Sequence, residues 1–427
     1  SPVAKKGTID LSEWDIQKEE KIDLYGEWQF YWKQFVKPEN LIRGELPDKS
    51  LSITMPGEWT SAIQNPKGKN EKYDLGYGTY ILNVKGFKAK EKTAFFIRYF
   101  ATAYSLYIVQ GDKVIPVIKA GGVGKTKKTS IPTTTQRLTE VNLESGDFTI
   151  VVHTSNFHYR SGGFFGSFTF GKESVLREEF SKNNFRAFFL LGVILIMSLY
   201  HFGLFSLRRE DLGSFWFGVL CFNFFLRELA EKTFLMHFVE KSGILFMINS
   251  GLEYISMYLG VPLFILFIRE LLKDYINRYV VIIYGAAGIL FSIFCLATDP
   301  NVYTQKIPLM TYQGILFSGL LYVSFNIIRA SIKNAQNARL LLLAVSVFSL
   351  GVIYDLLITY KVTEPPFITP YTFMAFIFIQ SYILATNFAR AYRTAEKLSR
   401  DLEQEVVERT KEAVEAKERA EESEGNV

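Results

Sequence analysis

The sequence predicts a multidomain membrane protein: an N-terminal all-β domain, a bundle of seven apolar helices and a C-terminal charged helix. Three observations lead there. The apolar residues, 48% of 427, are sharply segregated: residues 1–180 are mixed and polar, 185–389 are dominated by Phe, Leu, Ile, Val and Tyr, and 390–427 are almost all charge. The central part breaks into seven runs long enough for about 20 helical residues each. In the first part the hydrophobic period is nearer two than 3.6, the period of strands.

Strand by strand, Phe95, Ile97 and Tyr99 share one face of TAFFIRYF, and Phe148, Ile150 and Val152 share one face of DFTIVVHT. In SLYIVQGDKVIPV, Gly111-Asp112 separates two β-rich runs and marks a hairpin. YGTYILNVKGF and EWQFYWKQF are further strands. Many short strands with Gly- and Pro-rich turns predict a β-sandwich of the jelly-roll kind.

Four of the five tryptophans (Trp14, Trp28, Trp32 and Trp59) fall in the first sixty residues. An exposed indole is a stacking platform for the apolar face of a sugar, which makes Trp28 and Trp59 candidate ligand contacts. The competing reading is plain core, because Trp28, Phe30 and Trp32 alternate along one strand. In SNFHYRSGGFF, Asn156, His158 and Arg160 stand beside Gly162-Gly163 and could line a ligand cleft or close the sandwich as a satisfied loop.

Other chemistry finds little footing. AGGVGKTKKT imitates a phosphate-binding loop, but Lys119 stands where the first glycine belongs. His153, His158, His201 and His237 show no zinc spacing, so no metal and no cofactor are expected. Cys221 and Cys295 lie in apolar runs and imply no disulfide. No catalytic motif stands out, and a spread net charge of +5 argues against nucleic acid.

The predicted spans run over 187–207, 212–232, 243–268, 279–298, 308–328, 340–360 and 368–389, with RELAEK interrupting the second. Basic residues cluster after spans 1, 3, 5 and 7: Arg208 and Arg209; Arg269, Lys273 and Arg278; Arg329, Lys333 and Arg339; Arg390, Arg393, Lys397 and Arg400. The alternate loops hold Lys241, Lys306 and Lys361. Basic loops favour the cytoplasm, which puts the β domain outside the cytoplasm and the C-terminal helix inside. Within the spans Arg227, Glu253 and Asp355 are expected to form one polar layer in the outer half of the bundle; isolated snorkelling residues are the alternative. Asn223, Asn249, Gln313 and Gln380 read as glue between helices.

The last helix follows span 7 without Gly or Pro. Its seam reads Ala391, Ala395, Leu398, Leu402, Val406, Ala413 and Ala420. The step from Leu402 to Val406 is four where a heptad requires three, a stutter that relaxes a coiled coil locally. Such a coil suits a connecting rod to a cytoplasmic domain absent from this chain; a solvated single helix is the alternative.

IDLYGEWQFYWKQFVKP, SNFHYRSGGFFGSFTFG, SLYHFGLFSLRREDLGSFWFGVL and LEQEVVERTKE, in this order, resemble the bacterial seven-transmembrane receptors with diverse intracellular signalling modules. The resemblance implies a galactose-binding-like jelly-roll sensor for carbohydrates or related small molecules. It also implies an output module after the coil: a nucleotide cyclase, histidine kinase or phosphatase. The expectation is a receptor of the bacterial inner membrane, truncated before its output domain, without enzymatic activity of its own and dimeric through the coil. A transporter or channel with an exported accessory domain is the alternative, though no internal repeat supports it.

Overall fold

The computed structural model describes residues 2–61, 63, 74–237, 242–359 and 366–424. Lys241 and Lys361 of the basic-residue pattern lie outside them, as does the side chain of Ala420. The chain divides into two compact units, Ser1–Val323 and Ser324–Val427.

The first unit begins with a β domain. Six strands form a ladder in the order Lys113–Ala120, Ala103–Gln110, Gly146–Asn156, Gly76–Phe87, Gly26–Trp32 and Leu51–Met55, and Thr8–Asp10 pairs in parallel with Gly76–Phe87. A four-stranded sheet (Arg137–Val141, Thr93–Ile97, Phe168–Lys172, Lys21–Asp23) supplies the other face of the same core. A small third sheet joins Gly57–Glu58, Gly163–Phe164 and Phe100–Ala101. The two-residue alternation is real: Phe148, Ile150 and Val152 all point into the core, against Phe95 and Phe170 from the facing sheet. Gly111, at φ +58°, turns the hairpin that sets Lys113 opposite Gln110. Two short helices, α1 (Ile16–Glu19) and α2 (Pro38–Ile42), lie among these strands.

The last strand ends at Lys172 and α3 (Glu173–Leu207) starts at the next residue. Its first turns belong to the β domain. Leu176 and Phe180 pack on Ala94, Phe96 and Leu138, while Arg177 pairs with Glu140 and Glu179 with Lys21 and Arg98. Half-exposed ion pairs contribute little each, so the apolar contact carries this joint and the charges fix its rotation. One helix thus leaves the four-stranded sheet and continues into the first apolar run.

α4 (Leu212–Glu231), α5 (Gly243–Leu271) and α6 (Arg278–Ala297) follow, with N-caps from Asp211, Ser242 and Asn277. Short α7 (Pro300–Tyr303) precedes α8 (Lys306–Ile332), α9 (Ala338–Thr359) and α10 (Thr369–Glu424). Among the described residues seven helices, α3 to α6 and α8 to α10, are long and apolar enough to cross a membrane. Inside lipid every backbone carbonyl needs a donor. Pro262 of α5 offers no N–H to the Tyr258 carbonyl one turn earlier, and the Tyr312 hydroxyl of α8 donates to that carbonyl instead. Asn223 Nδ2 donates to Ser256 O at 2.9 Å, and Asn249 Nδ2 to Ala230 O at 3.0 Å. Polar side chains thus tie α4 to α5 through main-chain acceptors.

Candidate functional site

The candidate site grows from the end of the Gly146–Asn156 strand. Asn156 is fully buried and folds the chain back on itself. Its Oδ1 accepts from the amides of His158 (3.3 Å) and Tyr159 (3.0 Å) and from Thr102 Oγ1 (3.2 Å). Its Nδ2 donates to Tyr159 O (2.9 Å) and Asp74 O (3.2 Å). A side-chain amide satisfied in this way is an Asx-type turn, and it leaves His158, Tyr159 and Arg160 projecting as a group. Below them Gly162 lies on Trp59; a Cβ there would come within 2.2 Å of the indole.

The projecting group meets the helix ends on the β-domain side. The amide of Arg160 donates to Thr304 Oγ1 at 3.2 Å, just past α7. The His158 ring faces Phe246 of α5 edge-on, with centroids 6.4 Å apart. The Tyr159 hydroxyl hydrogen-bonds with both Tyr99 and Tyr254. Tyr254 in turn packs on Tyr303, whose hydroxyl donates to Ser250 Oγ at 3.0 Å. Arg160 sits in the middle. Burial opposes its charge, but Tyr159, Tyr254, Tyr99 and Glu58 outweigh burial and raise its pKa above the ordinary arginine value. Arg160 also acts electrostatically on Glu253 of α5, as do Arg227 and Glu231. A buried tyrosine resists ionisation, and Tyr99 accordingly titrates well above the usual phenol range.

His158 is the acid-sensitive member. Burial, then the nearby Lys127, lower its pKa to about 4, with Asp299 pulling the other way. The folded state therefore favours neutral imidazole. The stability this contributes is full above the ordinary value near 6.5 and is lost as pH falls toward 4. We expect the melting temperature of the whole chain in nanodiscs to drop more steeply between those pH values than that of His158→Phe, which keeps the contact with Phe246. Parallel pH profiles would show that His158 is not strained by protonation.

Trp28 and Trp59 are both fully buried. Trp28 Nε1 donates to Leu24 O at 3.0 Å, and its ring packs on Phe164 and Phe168. Trp59 stacks on Phe30 and tilts against Trp32. Neither indole presents a face on which a sugar could stack. Asn156, His158 and Arg160 do come together, in one turn against the helices. Tyr159, from the same turn, and Tyr99, Tyr254 and Thr304, from distant parts of the chain, complete the cluster without having been read as site residues from the sequence.

In α4 the Arg227 guanidinium donates to Glu253 O at 3.4 Å and pairs with Glu231 at 3.7 Å. Residues 183–389 match the family model described as 7TM diverse intracellular signalling. The membrane-spanning part of this chain belongs to that family. Comparison with curated proteins returns no match. Solved structures similar to the chain include β-glucuronidase from Ruminococcus gnavus with N1-substituted uronic isofagomine: 13% identity, TM-score 0.25, covering 36% of this chain and 29% of that one. The Faecalibacterium prausnitzii β-glucuronidase gives 13% identity and a TM-score of 0.26, covering 35% of this chain and 31% of that one. The chain thus spans less than a third of the length of either enzyme, and likeness this slight carries no weight for fold or activity.

The second compact unit of the chain contains α9 and α10. Asp355 of α9 accepts from the amides of Ile368 (2.8 Å) and Thr369 (3.0 Å), one with each carboxylate oxygen. It therefore caps the start of α10. Farther along α10, Leu398, Leu402 and Val406 are 59%, 52% and 62% exposed and Ala413 is exposed too. Val407 and Val414, seven residues apart and also exposed, add apolar surface the predicted seam left out.

Proposed function

We propose that this chain is the sensing and transmembrane part of a bacterial inner-membrane signalling receptor. The β domain, a jelly-roll sandwich spanning about residues 1–180, lies outside the cytoplasm and takes a small ligand such as a carbohydrate. The seven helices pass its occupancy to α10, and α10 drives an output enzyme in the cytoplasm. The exposed Leu398, Leu402, Val406 and Ala413 pair with those of a second copy as a coiled coil. The chain itself performs no chemistry.

The junction around Arg160 supports this reading most directly. A domain hung on a flexible linker could bind ligand without consequence for the helices. Here one side chain from the β domain shares hydrogen-bonded tyrosines and a half-buried carboxylate with α5. Any ligand that moves the Asn156–Arg160 turn must repack those groups, and it will signal only if it binds the two packings differently. Trp28 and Trp59 then act as core supports, and Asn156, His158 and Arg160 as the relay.

Hydrogen exchange on the whole chain in nanodiscs, against a panel of neutral and acidic sugars, tests the proposal. A binding sugar is expected to slow exchange in the β strands and also alter the first three turns of α5. Binding with changes confined to the β domain would remove the relay; no binding across the panel would remove carbohydrate as the ligand class.

A further inference from the structure

We infer that the Gly122–Ile131 loop of the β domain is a lipid-contacting surface whose lysines bind anionic phospholipid headgroups of the adjacent leaflet. The inference rests on the membrane location of the seven helices and is independent of signalling. This is the GKTKK stretch whose resemblance to a nucleotide loop fails at Lys119. Its position gives it another use.

Three contacts hold the loop and its flank against the helix ends. Lys127 Nζ pairs with Asp299 at 2.6 Å. Thr134 Oγ1 contacts the Met236 sulfur at 3.4 Å. Pro132 lies 3.8 Å from where a Cβ at Gly243, the first residue of α5, would stand. The tip is a tight turn in which the amides of Thr129 and Ser130 both donate to Thr126 O, so Lys127 and Lys128 are carried on a rigid apex. Lys125 and Lys128 are exposed on either side of the tethered Lys127.

The tether leads to lipid. Asp299 follows α6, of whose most apolar stretch only 11% is buried inside the protein. Leu296, just before Asp299, is 76% exposed, and Ile289, Leu290 and Ile293 are exposed below it. A helix with that surface faces acyl chains, so the residue just beyond its end lies at headgroup depth. Lys306, exposed beside the equally exposed Ile307 at the start of α8, adds a fourth ammonium to this side. A lysine at the surface of an anionic leaflet is worth roughly a fivefold preference, and the attraction is screened within about a Debye length.

The test uses the full chain in nanodiscs of phosphatidylglycerol or of phosphatidylcholine, with hydrogen exchange read over residues 122–131. Exchange is expected to be at least about fivefold slower in phosphatidylglycerol. The slowing should vanish in 0.5 M salt (about a 4 Å screening length) and in the double variant Lys125→Glu, Lys128→Glu, which spares the Lys127 tether. Lys113→Glu, about 23 Å away at the far end of the adjoining strand, should leave it intact. Equal exchange in the two lipids, or slowing that survives the double variant, overturns the inference. Slowing by inorganic phosphate in uncharged detergent micelles also overturns it, because the site would then be for a free anion.

Discussion

Arg160→Ala is expected to loosen the β domain from the first turns of α5, lowering the stability of the chain in nanodiscs by about 1–3 kcal/mol. Three tyrosine hydroxyls and the carboxylates of Glu58 and Glu253 are arranged around this one guanidinium. Deleting a cation from such a group leaves the acidic partners uncompensated in a poorly hydrated place. A fully buried pair would lose more, about 3–5 kcal/mol, but Arg160 is half-buried and water can take up part of the deficit. The discriminating measurement is a double-mutant cycle with Glu253→Gln. If Arg160 acts through Glu253, the two losses combine to less than their sum. Additive losses would show that Arg160 merely fills space beneath Tyr159.

The parts of this structure legible in the sequence are those set by local chemistry. The alternation in DFTIVVHT, the Gly111-Asp112 turn and the long apolar runs each depend on neighbours a few residues away. The junction depends on distant ones: Tyr99, Tyr159, Arg160, Glu253 and Tyr254 meet only because a strand end, an Asx turn and a helix converge. No spacing announces that. The tryptophans illustrate the limit differently. Composition shows that Trp28 and Trp59 are aromatic anchors, but whether an anchor faces a ligand or a facing sheet is decided by the Phe164 and Phe168 rings that cover Trp28. Glu253 was legible as a costly intramembrane charge; its electrostatic neighbour Arg160 comes from the β domain, where a reading confined to the spans does not look.

Asp355→Ala is expected to free the first turn of α10, the helix on which the sequence predicts a coil seam. Both oxygens of this carboxylate are used, on the amides of Ile368 and Thr369. These are among the N-terminal donors a helix cannot satisfy by itself, and the helix dipole favours an anion there. Losing two charge-assisted bonds should cost about 2–3 kcal/mol. The loss should stay local, because α9 and α10 are joined elsewhere as well. Phe348 packs on Phe373 and Phe376, and a Cβ on Gly351 would lie 2.0 Å from Thr372 Oγ1. Toward the other end, Asn387 Oδ1 accepts from Asn337 Nδ2 (2.7 Å) and Gln336 Nε2 (3.0 Å). Amide exchange at residues 369–373 should therefore rise by about 30-fold or more, the equivalent of 2 kcal/mol, while exchange around Asn387 stays unchanged. Asp355→Asn, which keeps an acceptor but not the charge, should fall between. A rise that spreads evenly along α10 would mean that the Asn387 clamp does not hold without the cap, and the two ends of the helix would then have to be treated as one cooperative switch.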